Sequence, residues 1–107
     1  MTDYSIITVT YPNKESAKAA AKLLVQRKLA ACVQLLPIES VYSWQGEICD
    51  ENEVLLLIKT KKSMFPEIES FIKSNHSYDV PEIIQVPIEN GFRDYLDWIE
   101  GEVDEPS

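Results

Sequence analysis

The segment Glu53–Lys61, "EVLLLIKTK", decides the fold of this chain. Its apolar run from Val54 to Ile58 is short and is apolar on both faces, as expected of a β-strand covered on both sides. Helices of the same chain can cover one face, and another subunit is the simplest cover for the other. Replacing Leu56 or Ile58 with Asp is therefore expected to disrupt assembly, or folding with it.

The residues before this segment predict a strand, a helix and a second strand. "YSIITVTY" (Tyr4–Tyr11) is rich in β-branched residues, which favour a strand. The next segment carries one buried helical stripe, made of Ala17, Ala20, Ala21, Leu24 and Val25. "ACVQLLPIESVYSW" (Ala31–Trp44) predicts a second strand, in which Pro37 requires an edge position or a bulge. Gly46 then predicts the turn into the third strand.

The residues after the central segment predict a helix, a strand and a last short helix. The helix is expected to begin near Ser63 as its N-cap, with Pro66 in the first turn. Its apolar residues are Met64, Phe65, Ile68, Phe71 and Ile72. "EIIQVPI" (Glu82–Ile88) predicts a fourth strand, and Pro87 indicates an edge or an end. The last helix is predicted to carry Phe92, Tyr95, Leu96 and Ile99 on one face.

The element order β-α-β-β-α-β with an extra C-terminal helix predicts an α+β, ferredoxin-like fold with one antiparallel sheet. Residues 1–107 are expected to form a single domain, with a core from about residue 4 to residue 99. Residues 100–107 are acidic and are predicted to be a solvated, frayed tail.

The net charge of −8 makes nucleic acid and anionic membranes poor partners, because both repel an acidic surface. No apolar run is long enough to span a bilayer, and the N-terminus lacks the pattern of a signal peptide. A cytoplasmic location is the resulting expectation.

Cys32 and Cys49 form neither a C-x-x-C redox motif nor a zinc framework, and a disulfide between them is not expected in the cytosol. His76, the only histidine, has Tyr78 and Glu82 within six residues. A lone histidine after a helix is more often a cap or a loop hydrogen bond. Copper(II) is the least demanding metal alternative, since it accepts imidazole and carboxylate and tops the divalent affinity order.

Lys59 interrupts the apolar strand, where a buried charge needs a partner or an open cleft. Glu82 is a candidate partner, and Tyr78, Tyr95 and Trp98 could wall a cleft. Two interpretations stay open: a salt bridge at a subunit interface, and a pocket for a small anionic ligand.

Enzymatic and RNA-binding functions find little support in the sequence. An acylphosphatase-like hydrolase needs an arginine-lined anion cradle, but Arg27 and Arg93, the only arginines, lie in predicted helices. The strands carry no basic-aromatic signature of an RNA-binding sheet.

Five segments together resemble one known family, the CutA divalent-cation tolerance proteins. They are "KLAACVQ", "SVYSWQGEI", "EVLLLIKT", "HSYDVPEII" and "GFRDYLDWI", and the resemblance runs from about Ile6 to Ile99. It implies a ferredoxin-like subunit in a compact homotrimer that resembles the PII signalling proteins, with clefts between subunits. It also implies a link to metal tolerance and copper binding, and no established catalytic activity.

The resemblance places particular residues in candidate sites. His76, Tyr78, Pro81 and Glu82 match the family's H-x-Y-x-x-P-E motif, Cys32 matches the cysteine of its LAAC motif, and Trp44, Gly46, Lys59 and Thr60 match its hairpin and strand signatures. We predict a metal site made of His76, Cys32 and Glu82, and a ligand cleft lined by Lys59, Tyr78, Trp44, Tyr95 and Trp98.

Val9 and Asn75 depart from the family pattern, since some members carry a cysteine and a second histidine there. Fewer soft ligands predict weaker and less selective copper binding. The leading hypothesis is a non-enzymatic, trimeric metal-response protein that binds copper or another divalent cation. The alternative is a PII-like sensor or scaffold that binds a small anionic ligand between subunits through Lys59.

Overall fold

A computed structural model of the chain describes residues 2–105. Its elements are β1 (Tyr4–Tyr11), α1 (Lys14–Gln26), β2 (Cys32–Trp44), β3 (Glu47–Lys61), α2 (Phe65–Asn75), β4 (Ile83–Pro87) and α3 (Arg93–Glu102). A single 3₁₀ turn, Lys62–Met64, leads into α2. The predicted order of strands and helices is confirmed.

The four strands form one sheet in the order β2-β3-β1-β4, and every neighbouring pair is antiparallel. The predicted α+β class and antiparallel sheet are therefore confirmed. Pro37 lies in β2 and Pro87 ends β4, and both strands are edges of the sheet. An edge strand has no neighbour on its outer side. A proline there can point the position of its missing N–H outward, so no carbonyl of the sheet loses a hydrogen-bond donor. The trimer stays a prediction.

One face of the sheet packs against α1 and α2, and we call it the helix face. Leu56 and Ile58 in β3 lie opposite Val9 and Ile7 in β1, and all four side chains are fully buried. The helices add to the same core the residues Ala17, Ala20, Leu24, Ile68 and Ile72. Alternate residues of the two central strands thus form the core within one chain.

The opposite face, which we call the open face, is covered only at one end. There α3 packs against the sheet: Tyr95 lies over Lys59, and Glu100 accepts hydrogen bonds from Tyr4 and Lys61. Farther along this face Leu36, Ile84 and Val86 are 49%, 52% and 47% exposed. The second cover predicted for β3 is therefore supplied in part by α3, and residues 2–105 of one chain leave the middle of the open face uncovered.

Strands β2 and β3 form a long hairpin whose distal half extends past β1. Pairing runs from Cys32–Lys59 to Trp44–Glu47, whereas β1 stops pairing with β3 at Val54. Gln45 and Gly46 form the two-residue loop and have φ values of 49° and 81°, the backbone conformation that a right-twisted hairpin prefers. We call residues 38–53 the hairpin arm. Strand β3 begins at Glu47, six residues before its predicted start, and the sequence did not indicate this because residues 47–53 are mostly polar and lack an apolar run.

Two details of the predicted helices are wrong. Helix α2 begins at Phe65 and not near Ser63, whose hydroxyl donates to Glu105 at 2.6 Å instead of capping the helix. On α3 Leu96 is buried as predicted, but Phe92 is 73% exposed. A single chain therefore leaves part of the predicted apolar face of α3 uncovered.

The predicted frayed tail is also corrected over the residues that the structure describes. Helix α3 continues through Glu102, Val103 is buried, and Glu105 forms an ion pair with Lys61. A cation on β3 thus holds this acidic stretch against the domain. Residues 106 and 107, the end of the predicted tail, lie outside the described residues.

Candidate functional site

His76 ends α2 and is held by both ring nitrogens. Its backbone N–H donates to Ile72, its Nε2 lies 2.7 Å from the carbonyl oxygen of Thr10, and its Nδ1 accepts from the N–H of Tyr78 at 3.1 Å. Both bonds are made together by the tautomer in which Nε2 donates and Nδ1 accepts. A metal ion could bind either nitrogen only after one of these hydrogen bonds is broken.

Aromatic contacts fix the same imidazole ring in place. Its centroid lies 4.4 Å from that of Tyr11, in a stacked arrangement, and 4.7 Å from that of Tyr78. Tyr11 in turn donates to Asn75 at 2.9 Å, which ties β1 to the end of α2. His76 therefore has the cap and loop hydrogen bonds that are usual for a lone histidine after a helix.

The segment after His76 brings Tyr78 against the hairpin arm. The Tyr78 hydroxyl donates to Glu53 at 2.9 Å, and Glu53 is only 8% exposed. Burial, together with this hydrogen bond, raises the pKa of Tyr78 to about 12. At neutral pH Tyr78 is therefore protonated and remains a hydrogen-bond donor to the carboxylate.

Between this segment and the hairpin arm lies a cleft of about 830 Å³, which we call the acidic cleft. Its lining includes five carboxylates and no lysine, arginine or histidine. These carboxylates belong to Glu39, Glu51, Glu53, Asp79 and Glu82, and the other lining residues are Thr10, Ser40, Val41, Tyr42, Trp44, Cys49, Tyr78 and Val80. A cleft with this lining attracts cations and repels anions.

Three of these carboxylates accept hydrogen bonds from hydroxyl groups. Besides Tyr78 with Glu53, Tyr42 donates to Glu51, and Thr8 donates to Glu82 at 3.0 Å. The bond with Glu51 raises the pKa of Tyr42 above its ordinary value. Within residues 2–105 none of the five carboxylates forms a salt bridge. The negative charge of the cleft is therefore not neutralised by the chain itself.

The structure does not bring together the predicted metal ligands His76, Cys32 and Glu82. His76 contacts Thr10, whereas Cys32 pairs with Lys59, which lies opposite Ile6, four residues back along β1. That separation is about 13 Å along the strands. Over residues 2–105, no three His, Cys, Asp or Glu side chains lie close enough to hold a metal ion.

The predicted ligand cleft is likewise divided between two places in one chain. Tyr78 and Trp44 line the acidic cleft. At the other end of the open face, the Nζ of Lys59 lies 5.8 Å from the ring centroid of Tyr95, which contacts Trp98 with a centroid distance of 5.6 Å. In one chain the register keeps them apart, because Trp44 lies opposite Glu47 and Tyr78 contacts Glu53, twelve and six residues along β3 from Lys59.

Within one chain Lys59 forms no salt bridge with its candidate partner Glu82 over residues 2–105, and Glu82 accepts a hydrogen bond from Thr8. A pairing between subunits stays a prediction. The lysine that is buried with partners is Lys61, 7% exposed, which forms ion pairs with Glu100, at 2.6 Å, and Glu105. Burial lowers the pKa of Lys61, but its hydrogen bonds with the two glutamates outweigh this effect and raise the pKa. The same bonds lower the pKa of both glutamates.

Sequence reasoning missed most of the acidic cleft, including Tyr42, Cys49, Glu51 and Glu53. A signal was present, because Cys49, Glu51 and Glu53 alternate in the sequence and so share one face of a strand. Cys49 pairs with Tyr42, ten residues along β2 from Cys32, and both cysteines are free thiols. Cys49, and not Cys32, is the cysteine that lines the cleft.

Comparisons with known proteins identify the family. The family described as "CutA1 divalent ion tolerance protein" matches residues 5–102. The divalent-cation tolerance protein CutA of Thermus thermophilus is 45% identical over 95 residues, which cover 88% of this chain and 92% of that protein. Protein CutA of Arabidopsis thaliana, named chloroplastic, is 46% identical over 95 residues. That match covers 88% of this chain but 52% of the plant protein, so the chain spans about half of that relative.

A solved structure agrees with the sequence comparison. The periplasmic divalent cation tolerance protein CutA of Archaeoglobus fulgidus superposes with a TM-score of 0.92 at 40% identity, covering 94% of this chain and 99% of the other. These relatives are named for tolerance of divalent cations and not for a catalysed reaction. Since two of them are named chloroplastic and periplasmic, the cytoplasmic location stays a prediction.

No helix in the described part of the chain is both long and apolar enough to cross a bilayer. The sequence match and the structural superposition each cover nearly the whole chain. The chain belongs to the CutA1 divalent ion tolerance protein family.

Proposed function

We propose that this protein acts in divalent-cation tolerance by binding copper or another divalent cation at the acidic cleft, and that it catalyses no reaction. The observation that carries the proposal is a cleft with five lining carboxylates and no basic side chain, in a member of a divalent-ion tolerance family. Carboxylates and hydroxyls suit hard cations such as Mg²⁺ and Mn²⁺, and copper(II) binds most such sites more tightly.

The chemistry of the cleft supports weak and unselective binding. Its nearest soft donor is the thiol of Cys49, and His76 has both nitrogens engaged. Since one chain lacks a preformed set of three ligands over residues 2–105, binding requires the carboxylates to move together or a neighbouring subunit to add donors. Carboxylates that approach one another without a cation repel, so the ion itself drives this change.

We also propose that the protein is a homotrimer that buries the open face. Leu36, Ile84 and Val86 are about half exposed there, and Ile6, Leu55 and Leu57 lie beside them on the same face. A contiguous apolar surface on a folded chain indicates an interface. The number of three subunits is taken from the family resemblance.

A second function is favoured by the environment of Lys59. This side chain is half-buried beside Tyr95 and forms no salt bridge with the rest of residues 2–105. A small anionic ligand held between subunits, as in the PII-like alternative, would supply the missing negative charge. The test is a thermal-shift screen of anionic metabolites, in which hits that stabilise Lys59→Ala as well as wild type would exclude this role.

Calorimetric titrations of the purified protein with Cu²⁺, Mn²⁺ and Mg²⁺ test the leading proposal. We expect saturable binding that weakens about tenfold in Glu53→Gln and Glu82→Gln, because each change removes one negative ligand. Glu67→Gln, on the exposed surface of α2, is the control of equal charge and should bind as wild type does.

The His76→Ala variant tests whether the imidazole binds the metal together with the carboxylates or only the carboxylates do. If His76 acts only by holding the segment that carries Tyr78, electron paramagnetic resonance of bound Cu²⁺ in wild type will lack nitrogen hyperfine coupling. Nitrogen coupling that disappears in His76→Ala would instead restore His76 as a ligand. The absence of saturable binding for every metal would refute the proposed function.

A further inference from the structure

The positive charge of this acidic chain is concentrated in one segment. Residues 14–28 carry five basic side chains, Lys14, Lys18, Lys22, Arg27 and Lys28, and one acidic side chain, Glu15. Their net charge is 5 − 1 = +4, so the rest of the chain carries 5 − 17 = −12, which gives the total of −8. This segment, α1 with Arg27 and Lys28 after it, therefore attracts an acidic partner, while the net charge of the rest of the chain repels one.

A groove of about 360 Å³ lies between this basic helix and β2. Its apolar wall consists of Ala21, Val25, Val33 and Leu35, and its polar residues are Lys18, Lys22 and Gln26. Val25 is 44% exposed although the helical pattern predicts it to be buried. The groove thus leaves apolar surface uncovered in the folded chain.

The two lysines of the groove have no anionic partner among residues 2–105, where the only salt bridges are those of Lys61 and Arg93. Lys18 and Lys22 are one helical turn apart, so their ammonium groups project from the same side of α1. Both are exposed. Two neighbouring cations beside an apolar wall match a segment in which carboxylates and apolar side chains alternate.

We propose that this groove binds an acidic, partly apolar segment of a partner protein. The carboxylates of the segment pair with Lys18 and Lys22, and its apolar side chains cover Val25, Val33 and Leu35. Charge complementarity selects the occupant, because an acidic segment is repelled by the acidic cleft and attracted by the basic side chains of α1. The groove is on the helix side of the sheet, so burial of the open face in an assembly leaves it accessible.

The test measures fluorescence anisotropy of a short, labelled peptide of alternating glutamate and leucine with the full-length protein. Wild type is expected to bind it, and Lys18→Glu and Lys22→Glu are each expected to bind about tenfold more weakly. Lys73→Glu, an exposed lysine on α2, makes the same change of net charge away from the groove and should stay within about twofold of wild type. Circular dichroism of each variant checks that the fold is retained.

One further peptide and one protein variant test the chemistry of the occupant. A peptide with serine in place of leucine should lose binding to wild-type protein, and the glutamate–leucine peptide should lose binding to Val25→Asp, because both changes remove the apolar contact. Equal weakening by Lys73→Glu, or equal binding of the serine peptide, would overturn the proposal. Inorganic polyphosphate that competes as well as the peptide at equal charge would also overturn it, since the groove would then be a general anion site.

Discussion

The two faces of β3 differ in what covers them. Leu56, Ile58 and Thr60 point to the helix face and are fully buried within one chain. Leu57 and Lys59, which alternate with them, point to the open face, where α3 covers only one end. An apolar run that is continuous in sequence therefore splits into a face that makes the fold and a face that is available to other molecules.

The open face itself contains two contrasting ends. At one end the carboxylates of Glu100 and Glu105 are paired with the buried Lys61. At the other end Glu51 and Glu53 accept only hydroxyl donors. Carboxylates that have a cation within the chain stabilise the structure, whereas carboxylates that have none are suited to an external cation.

The largest expected effect is that of Ile58→Asp on folding. This change places a carboxylate among apolar side chains with no partner, so we expect a loss of about 4 kcal/mol or more in the free energy of unfolding. Urea denaturation followed by circular dichroism measures it. A variant that unfolds at the same urea concentration as wild type would show that the helix face is not the core.

Leu57→Asp should break assembly and leave the fold intact, because its side chain lies on the open face. We expect sedimentation to show folded monomers at micromolar concentration, whereas wild type is expected to sediment as the proposed trimer. Leu23→Asp, on the outer side of α1, is the matched control and should stay trimeric. An intact Leu57→Asp trimer would mean that the open face is not the subunit interface.

Lys61→Met should lower the melting temperature by roughly 5 °C at pH 7, since two glutamates lose their cation. The way this stabilisation changes with pH follows from the pKa shifts of the three side chains. The lowered pKa values of Glu100 and Glu105 stabilise the fold above about 4.5, and this contribution is lost as pH falls through the folded-state values. The raised pKa of Lys61 stabilises the fold below about 10.5, and this contribution is lost as pH rises through the folded-state value.

The difference between wild type and Lys61→Met should therefore be largest near neutral pH and shrink toward both extremes. Lys62→Met is the control, because the neighbouring lysine forms no salt bridge with residues 2–105. A constant difference from pH 3 to pH 9 would attribute the effect of Lys61 to packing of its alkyl chain alone.

A smaller effect is expected for Tyr78→Phe, which leaves the nearly buried Glu53 without its donor. We expect a loss of about 1 kcal/mol in the free energy of unfolding. Because the pKa of Tyr78 is raised from 10.0 to about 12, this contribution is present below pH 10 and is lost as pH rises through 12. Tyr42→Phe removes the corresponding bond to exposed Glu51 and should cost less. Equal losses in the two variants would contradict the role of burial.

The sequence by itself determined the order of the elements. Helical spacing is a local property, so most of the buried stripe of α1 was identifiable from sequence: Ala17, Ala20, Ala21 and Leu24. The edge positions of Pro37 and Pro87 follow in the same way from the missing N–H of proline. The run Val54–Ile58 is apolar on both faces, so the sequence left open which face of β3 forms the core.

Only the tertiary structure decided which polar residues meet. The register of the β2–β3 hairpin sets Glu51 and Glu53 against the segment after His76. The same register places Cys32 opposite Lys59, away from both glutamates. The partner of Lys61 lies 39 residues away in sequence, on a helix whose packing no local pattern specifies. Long-range contacts of this kind depend on how elements pack, and a residue's own neighbours in the chain do not encode that packing.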